Sequence, residues 1–182
     1  WMGGVESGSG GMIIACMLSI LACSGLGLFS GSMVAFFGVP SFVASLGMMM
    51  VASGLAYMLS GGQSIYQVPP SFEWLGRGDD LVGIPNAVVL MVILYLFAHL
   101  MMSRTVAGRQ IYAVGGNPEA ARLSGVPVRR ILLSVYAGCG ALAGLGGIVM
   151  ASQFRSGDPK YGLMYELYVI AAVVVGGSSV SG

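Results

Sequence analysis

Long uncharged apolar runs alternate along this chain with shorter polar ones. Residues 1–10 are polar and Gly-rich, and Gly11 to Phe29 then carries no charge. About 20 apolar residues cross a bilayer core, so this run predicts a first span. Phe29-Ser-Gly-Ser reads as a weak break, Met33 to Val39 is apolar again, and Pro40 marks a turn. Phe42 to Leu59 predicts span two. Residues 60–83 change character: they hold Pro69-Pro70, four charges, and Tyr66, Phe72 and Trp74, aromatics of the kind found at headgroup depth. Ile84 to Met102 predicts span three, and Ile131 to Phe154 span four. Between them, residues 103–130 are the most charged stretch. After the polar loop Arg155 to Met164, the run Tyr165 to Val175 is about half a span long. It leads into Gly176-Gly177-Ser178-Ser179. Either this span is cut short or its helix breaks inside the membrane, which is tolerated where a broken helix lines a cavity. The pattern predicts an all-α, polytopic transmembrane bundle of about five membrane segments, one broken or truncated, forming a single domain over residues 1–182.

Composition sharpens this. Hydrophobic residues make up 56% of the chain and charged ones 8%, with a mean hydropathy of +0.86, whereas soluble domains are about 25% charged. That excludes a disordered chain, which needs low hydrophobicity and high charge, and leaves too few charges to cover a soluble globule. Thirty glycines fit a membrane bundle, where small residues let helices approach closely. A net charge of +1 projects no field toward nucleic acid. Placement of the charges matters more than their sum. Residues 103–130 carry Arg104, Arg109, Arg122, Arg129 and Arg130 against Glu119 alone, whereas residues 60–83 carry Arg77 against Glu73, Asp79 and Asp80. The positive-inside rule puts loop 103–130 in the cytoplasm and, by alternation, loops 60–83 and 155–164 outside. The turn near 30–40 falls inside with no charge to hold it there. Cys16, Cys23 and Cys139 lie in apolar runs without CxxC spacing and read as packing thiols. A chain that opens at Trp1 and closes within a Gly/Ser run reads as part of a longer protein.

Four constellations carry candidate chemistry. In Asn117-Pro118-Glu119-Ala120-Ala121-Arg122-Leu123-Ser124-Gly125 a short helix has both ends written in. Asn117 can cap the first N–H groups, and Pro118 suits the first helical position. Glu119 and Arg122 complement the helix dipole. Gly125 suits a left-handed stop and Pro127 prevents resumption. Gly115-Gly116 precede it as a flexible lead-in. Such a helix either docks in a partner's groove and transmits a push or is a well-capped loop helix with no partner. Second, Gly140 and Gly144 have GxxxG spacing, with Gly147 beyond, and Gly27 and Gly31 repeat it. These glycines serve helix packing within one subunit or, alternatively, a dimer seam. Third, Glu166 stands beside an apolar run, either capping a helix start at the interface or placed at the mouth of a pathway. Gly176, Gly177 and Ser178 could offer polar groups to a substrate at a helix break. Fourth, His99, the only histidine, lies near the end of span three without partners and reads as interfacial. No G-x-x-x-x-G-K-[ST] loop occurs, so ATP is not bound here by a P-loop. Neither a nucleophile–base set nor a metal cluster can be drawn. The chain is expected to catalyse nothing and to hold no metal or cofactor of its own.

The stretch Gly108 to Val128, GRQIYAVGGNPEAARLSGVPV, resembles the cytoplasmic loop of ribose-type permeases of bacterial ABC importers. Within it, Glu119-Ala120-Ala121 followed by Gly125 resembles the EAA-x-x-x-G core of the coupling helix. Val39 to Gly47 resembles that family's IPxFIATLG segment, Phe72 to Gly78 its outer loop, and Tyr165 to Gly177 its YELxxIAAVVLGG run. The likeness covers roughly residues 25–182. One departure stands out: Ala35-Phe36-Phe37-Gly38 occupies the usual place of basic residues, so that inner turn lacks a charge anchor.

The resemblance implies a non-catalytic permease subunit of the bacterial inner membrane, with residues 117–125 as the helix that couples to an ATPase. It implies further partners: ABC ATPase subunits holding ATP and Mg, a periplasmic solute-binding protein, and a second permease subunit. The substrate implied is a monosaccharide of the ribose, xylose or galactose kind. Nucleoside and autoinducer permeases share much of the pattern and stay open as alternatives. A secondary transporter is the less favoured reading, because the spans offer only His99 as an ionisable group.

Overall fold

The computed structural model describes residues 9–66 and 85–177. Its helices are α1 (Ser9–Phe37), α2 (Ser41–Ser60), α3 (Asn86–Arg104), α4 (Val106–Gly116), α5 (Pro118–Leu123), α6 (Val128–Phe154) and α7 (Tyr165–Val175). Among the described residues, four helices are long and apolar enough to cross a membrane: Gly11–Phe37, Ser41–Ser60, Asn86–Arg104 and Val128–Phe154. The protein is a helical, multi-pass membrane bundle, as its sequence pattern predicts.

The first span differs from its sequence reading. Phe29-Ser-Gly-Ser does not break the helix; α1 runs unbroken for 29 residues, about 43 Å at 1.5 Å per residue. The small residues there serve packing instead. Ser30 and Gly31 are buried, and Ser32 turns its hydroxyl back onto the carbonyl of Phe29 at 2.7 Å. The chain reverses only at Gly38, whose φ of +67° suits glycine. Pro40 then sets the start of α2, with Ala44 N–H donating to its carbonyl at 3.1 Å.

The core of the described bundle is the pairing of α1 with α6. The contacts run antiparallel: Ile20 lies against Gly144, Cys23 against Gly140, and Gly31 against Tyr136. At one end the guanidinium of Arg129 stands 5.5 Å from the ring centroid of Phe36, inside cation–π range. The Tyr136 side chain also hydrogen-bonds with Ser41. The uncharged turn between α1 and α2 therefore shares its end of the bundle with the basic segment, and takes its charge contact from α6. At the opposite end the segments that follow α2 and α6 pair with each other through an antiparallel bridge between Ile65 and Gly157. Segments 60–66 and 155–164 thus lie on one side and the basic segment on the other. This is the relative placement that the charge pattern requires.

Candidate functional site

Two helices, α4 and α5, form the basic segment, and both pack on α6. The sequence pattern alone predicts no helix over 106–116 and reads Gly115-Gly116 as a flexible lead-in; in the structure they are the last two residues of α4. The missed signal is Thr105 as an N-cap. Its hydroxyl donates to the Met101 carbonyl at 2.6 Å and accepts from Gly108 N–H at 3.1 Å. One residue thus closes α3 and opens α4. Gly108 is required at that corner: a Cβ there would stand 2.7 Å from the Met101 carbonyl oxygen and closer still to that of Met102. Ile111 and Val114, at helical spacing, turn inward, and Val114 is buried.

The capped helix has the ends its sequence dictates. The Asn117 side-chain oxygen accepts from Glu119 N–H at 3.1 Å and from Ala120 N–H at 3.0 Å, and Pro118 opens α5. At the other end Gly125 N–H donates to Arg122 and Val126 N–H to Ala121, both at 3.0 Å. With Gly125 at φ +80°, that is the Schellman closure of a helix. Ser124 donates to the Ala120 carbonyl at 2.9 Å. Ala121 alone of α5 is buried. Glu119, Ala120 and Arg122 are exposed, and Leu123 is 85% exposed. The result is a stiff six-residue helix resting on Ala121, with an acid, a base and an apolar side chain free.

The two GxxxG motifs meet one another inside the chain. A Cβ on Gly27 would strike the Tyr136 carbonyl oxygen, and one on Gly31 would stand 2.8 Å from Tyr136 Cβ. A Cβ on Gly140 would strike the Cys23 carbonyl oxygen, and one on Gly144 would stand 3.0 Å from Cys23 Cβ. Because all four face an intrachain neighbour, this surface is occupied within the chain. Gly147 is a correction: it is exposed, and a Cβ there would meet nothing within 4 Å. Three residues past Gly144, it has rotated off the seam, which continues through buried Ile148 and Ser152.

Glu166 lies half-buried in the first turn of α7. It does not cap: no side chain caps this helix, and Met164, in the left-handed region at φ 70°, holds the cap position. Gly176 and Gly177 are exposed and end α7, with Gly177 left-handed at φ +85° and its N–H on the Val174 carbonyl at 3.0 Å. They sit at the far end of an 11-residue helix from Glu166. Ser178 lies outside the described residues, as do Phe72 and Trp74. His99 is exposed on α3.

One polar cluster has no counterpart in the sequence reading. Ser64 donates its hydroxyl to Asp158 Oδ2 at 2.6 Å across 94 positions, and Lys160 N–H donates to Asp158 Oδ1 at 2.8 Å. The Ser64 hydroxyl first, and then the Lys160 amide, hold the Asp158 carboxyl below the usual aspartate range. Ser156, nearly fully buried, shares a 2.7 Å hydrogen bond with the Tyr161 hydroxyl, and the Tyr161 ring packs 5.1 Å from that of Phe154. No local pattern announces a pairing between residues so far apart.

Residues 2–182 match the family model described as branched-chain amino acid transport system / permease component. The Ribose import permease protein RbsC of Escherichia coli (strain K12) is 38% identical over 174 residues, 93% of this chain and 54% of that protein. The L-arabinose ABC transporter permease protein AraH of Azospirillum brasilense is 37% identical over 163 residues, 90% of this chain and 48% of that protein. RbsC of Bacillus subtilis (strain 168) is 38% identical over 143 residues, 78% of this chain and 44% of that protein. The chain spans about half the length of the curated relatives it matches. No solved structure matches. The chain belongs to this family of transport permease components.

Proposed function

We propose that this chain is part of the permease subunit of an ATP-driven ABC importer that carries a monosaccharide across the bacterial inner membrane. The ribose and arabinose named for its relatives favour a sugar. Another small polar solute, a nucleoside or an autoinducer, is the alternative. Loop 103–130 faces the cytoplasm in this reading, and segments 60–83 and 155–164 face outward. ATP and Mg are held by separate ATPase subunits, a periplasmic binding protein delivers the sugar, and a second permease subunit completes the pathway. The chain itself performs no chemistry.

The observation that carries this reading is α5. Caps at both ends stiffen it, Ala121 seats it, and its free residues Glu119, Arg122 and Leu123 are of the kinds a protein groove reads. A helix that cannot fray passes on a rigid-body displacement. Closure of an ATPase pair around nucleotide would move it and, through α6, change the side to which the cavity opens.

The test reverses both charges, Glu119→Arg with Arg122→Glu, in the full-length permease reconstituted with its ATPase. Uptake is expected to fall by about tenfold or more, in the range of ordinary allosteric couplings, while ATP hydrolysis continues. Normal uptake at a normal membrane level would remove α5 from the coupling path.

A further inference from the structure

α2 and α6 barely touch along their lengths; each packs on α1 instead. Their outer ends are nonetheless joined. Ile65 and Gly157 exchange both backbone hydrogen bonds, at 2.8 and 2.9 Å. Ser64 and Asp158, the neighbouring pair, add the 2.6 Å side-chain bond. Left-handed glycines at 61 and 62 end α2, and a left-handed Arg155 ends α6, turning the two segments toward each other. At the inner end the same helices are tied again, by the three-residue turn from α1 to α2 and by Tyr136 and Arg129 of α6 reaching Ser41 and Phe36. The glycine seam joins α1 to α6 between these ends.

We propose that the outer clasp makes α1, α2 and α6 a single rigid body that stays closed throughout the working cycle, with Asp158 as its positioning residue. Helices tied at one end can splay; α1 and α6 are sealed along a backbone-contact seam, and α2 is tied to that pair at both of its ends. Asp158 suits its role because one carboxylate oxygen takes the hydroxyl from the α2 side and the other takes the amide of its own loop. The segment that carries the clasp is thereby fixed before it pairs.

The inference rests on the transporter reading only for its activity readout. The test uses the full-length permease with its own cysteines replaced by serine and the pair Ile65→Cys/Gly157→Cys introduced, reconstituted with its ATPase. Residues that exchange both hydrogen bonds have Cα atoms about 5.5 Å apart, within a disulfide's Cα range, but their Cβ atoms stand at or just beyond its reach, so a short bifunctional thiosulfonate joins the pair where direct oxidation is incomplete. Gly157 is not left-handed, and a side chain there meets nothing within 4 Å. Cross-linking is expected to reach nearly all molecules at equal rates with and without Mg-ATP. Sugar uptake by the cross-linked protein should stay within about twofold of the reduced protein, the spread of an innocuous surface change. Asp158→Ala in the same background should slow cross-linking severalfold. Uptake lost on cross-linking and regained on reduction would overturn the rigid body, because the clasp would have to open. A pair that fails to cross-link would overturn the clasp, and an unchanged rate in Asp158→Ala would remove that residue's role. If the reduced protein takes up no sugar, the transport reading fails, while equal cross-linking rates in the two nucleotide states still support the clasp.

Discussion

The α1–α6 seam and the α4–α5 segment use the same small residue for opposite ends. In the seam, Gly27 and Gly140 are needed because they lack a side chain, so that one backbone can lie on another. Each is an ordinary helical position. In the α5 segment, Gly125 has open space around it and is needed because its φ is +80°. The seam joins elements more than a hundred positions apart and buries its contacts. The α5 helix closes its hydrogen bonds within ten residues, 117–126, and leaves most of its surface bare. The first arrangement builds a body, and the second builds a stiff piece seated on that body through Ala121. A glycine count would not separate them.

The sharpest break of this contrast lies within α6 itself. Gly140→Ala places a methyl against backbone atoms that cannot swing aside, and is expected to cost about 1–3 kcal/mol. Gly147→Ala, on the open face of the same helix, should be neutral or stabilise by up to ~1 kcal/mol, the helix propensity gained. Thermal unfolding of the full-length protein in detergent reads both, and equal effects would mean that α1 and α6 do not touch at residue 140. Smaller effects are expected in the α5 segment. Gly125→Ala should cost about 1–2 kcal/mol, the strain of a left-handed alanine, and Asn117→Ala about 1 kcal/mol, the loss of a cap. Both should appear as reduced uptake with little change in global unfolding, because the helix stands outside the core. A full drop in unfolding temperature would place α5 within the core instead.

The smallest expected effect is a pH response of the clasp. The folded Asp158 carboxyl is held below its ordinary range, so its contribution is complete above the unfolded value and is lost only as pH falls through the depressed folded one. Hydrogen exchange of the Lys160 amide, corrected for its intrinsic rate, should stay protected through mildly acidic pH and lose protection below the usual aspartate range. Loss near neutrality would show that another group controls the clasp.

Much of this molecule is written locally. The spans are set by uncharged runs of bilayer length. The caps of α5 follow from Asn117, Pro118 and Gly125, each within reach of the groups it satisfies. The misreadings share one cause. Ser30-Gly31-Ser32 and Gly115-Gly116 look like breaks when read alone. Tyr136 covers Gly31, and the Thr105 cap and buried Val114 carry α4 through its last two residues. Tertiary contact overrides a weak local preference. Glycine spacing announced a packing face, but not which helix would fill it or that Gly147 would fall off it.

Hydropathy and charge, being sums over neighbours in sequence, determined that the chain crosses a membrane several times and which of its segments share a side. The tertiary structure alone decided that the two glycine motifs find each other and that Arg129 anchors an uncharged turn. It also decided that Ser64 and Asp158 close the far end. Those choices depend on backbones meeting across long stretches of chain, where a single pair of residues leaves no periodic trace.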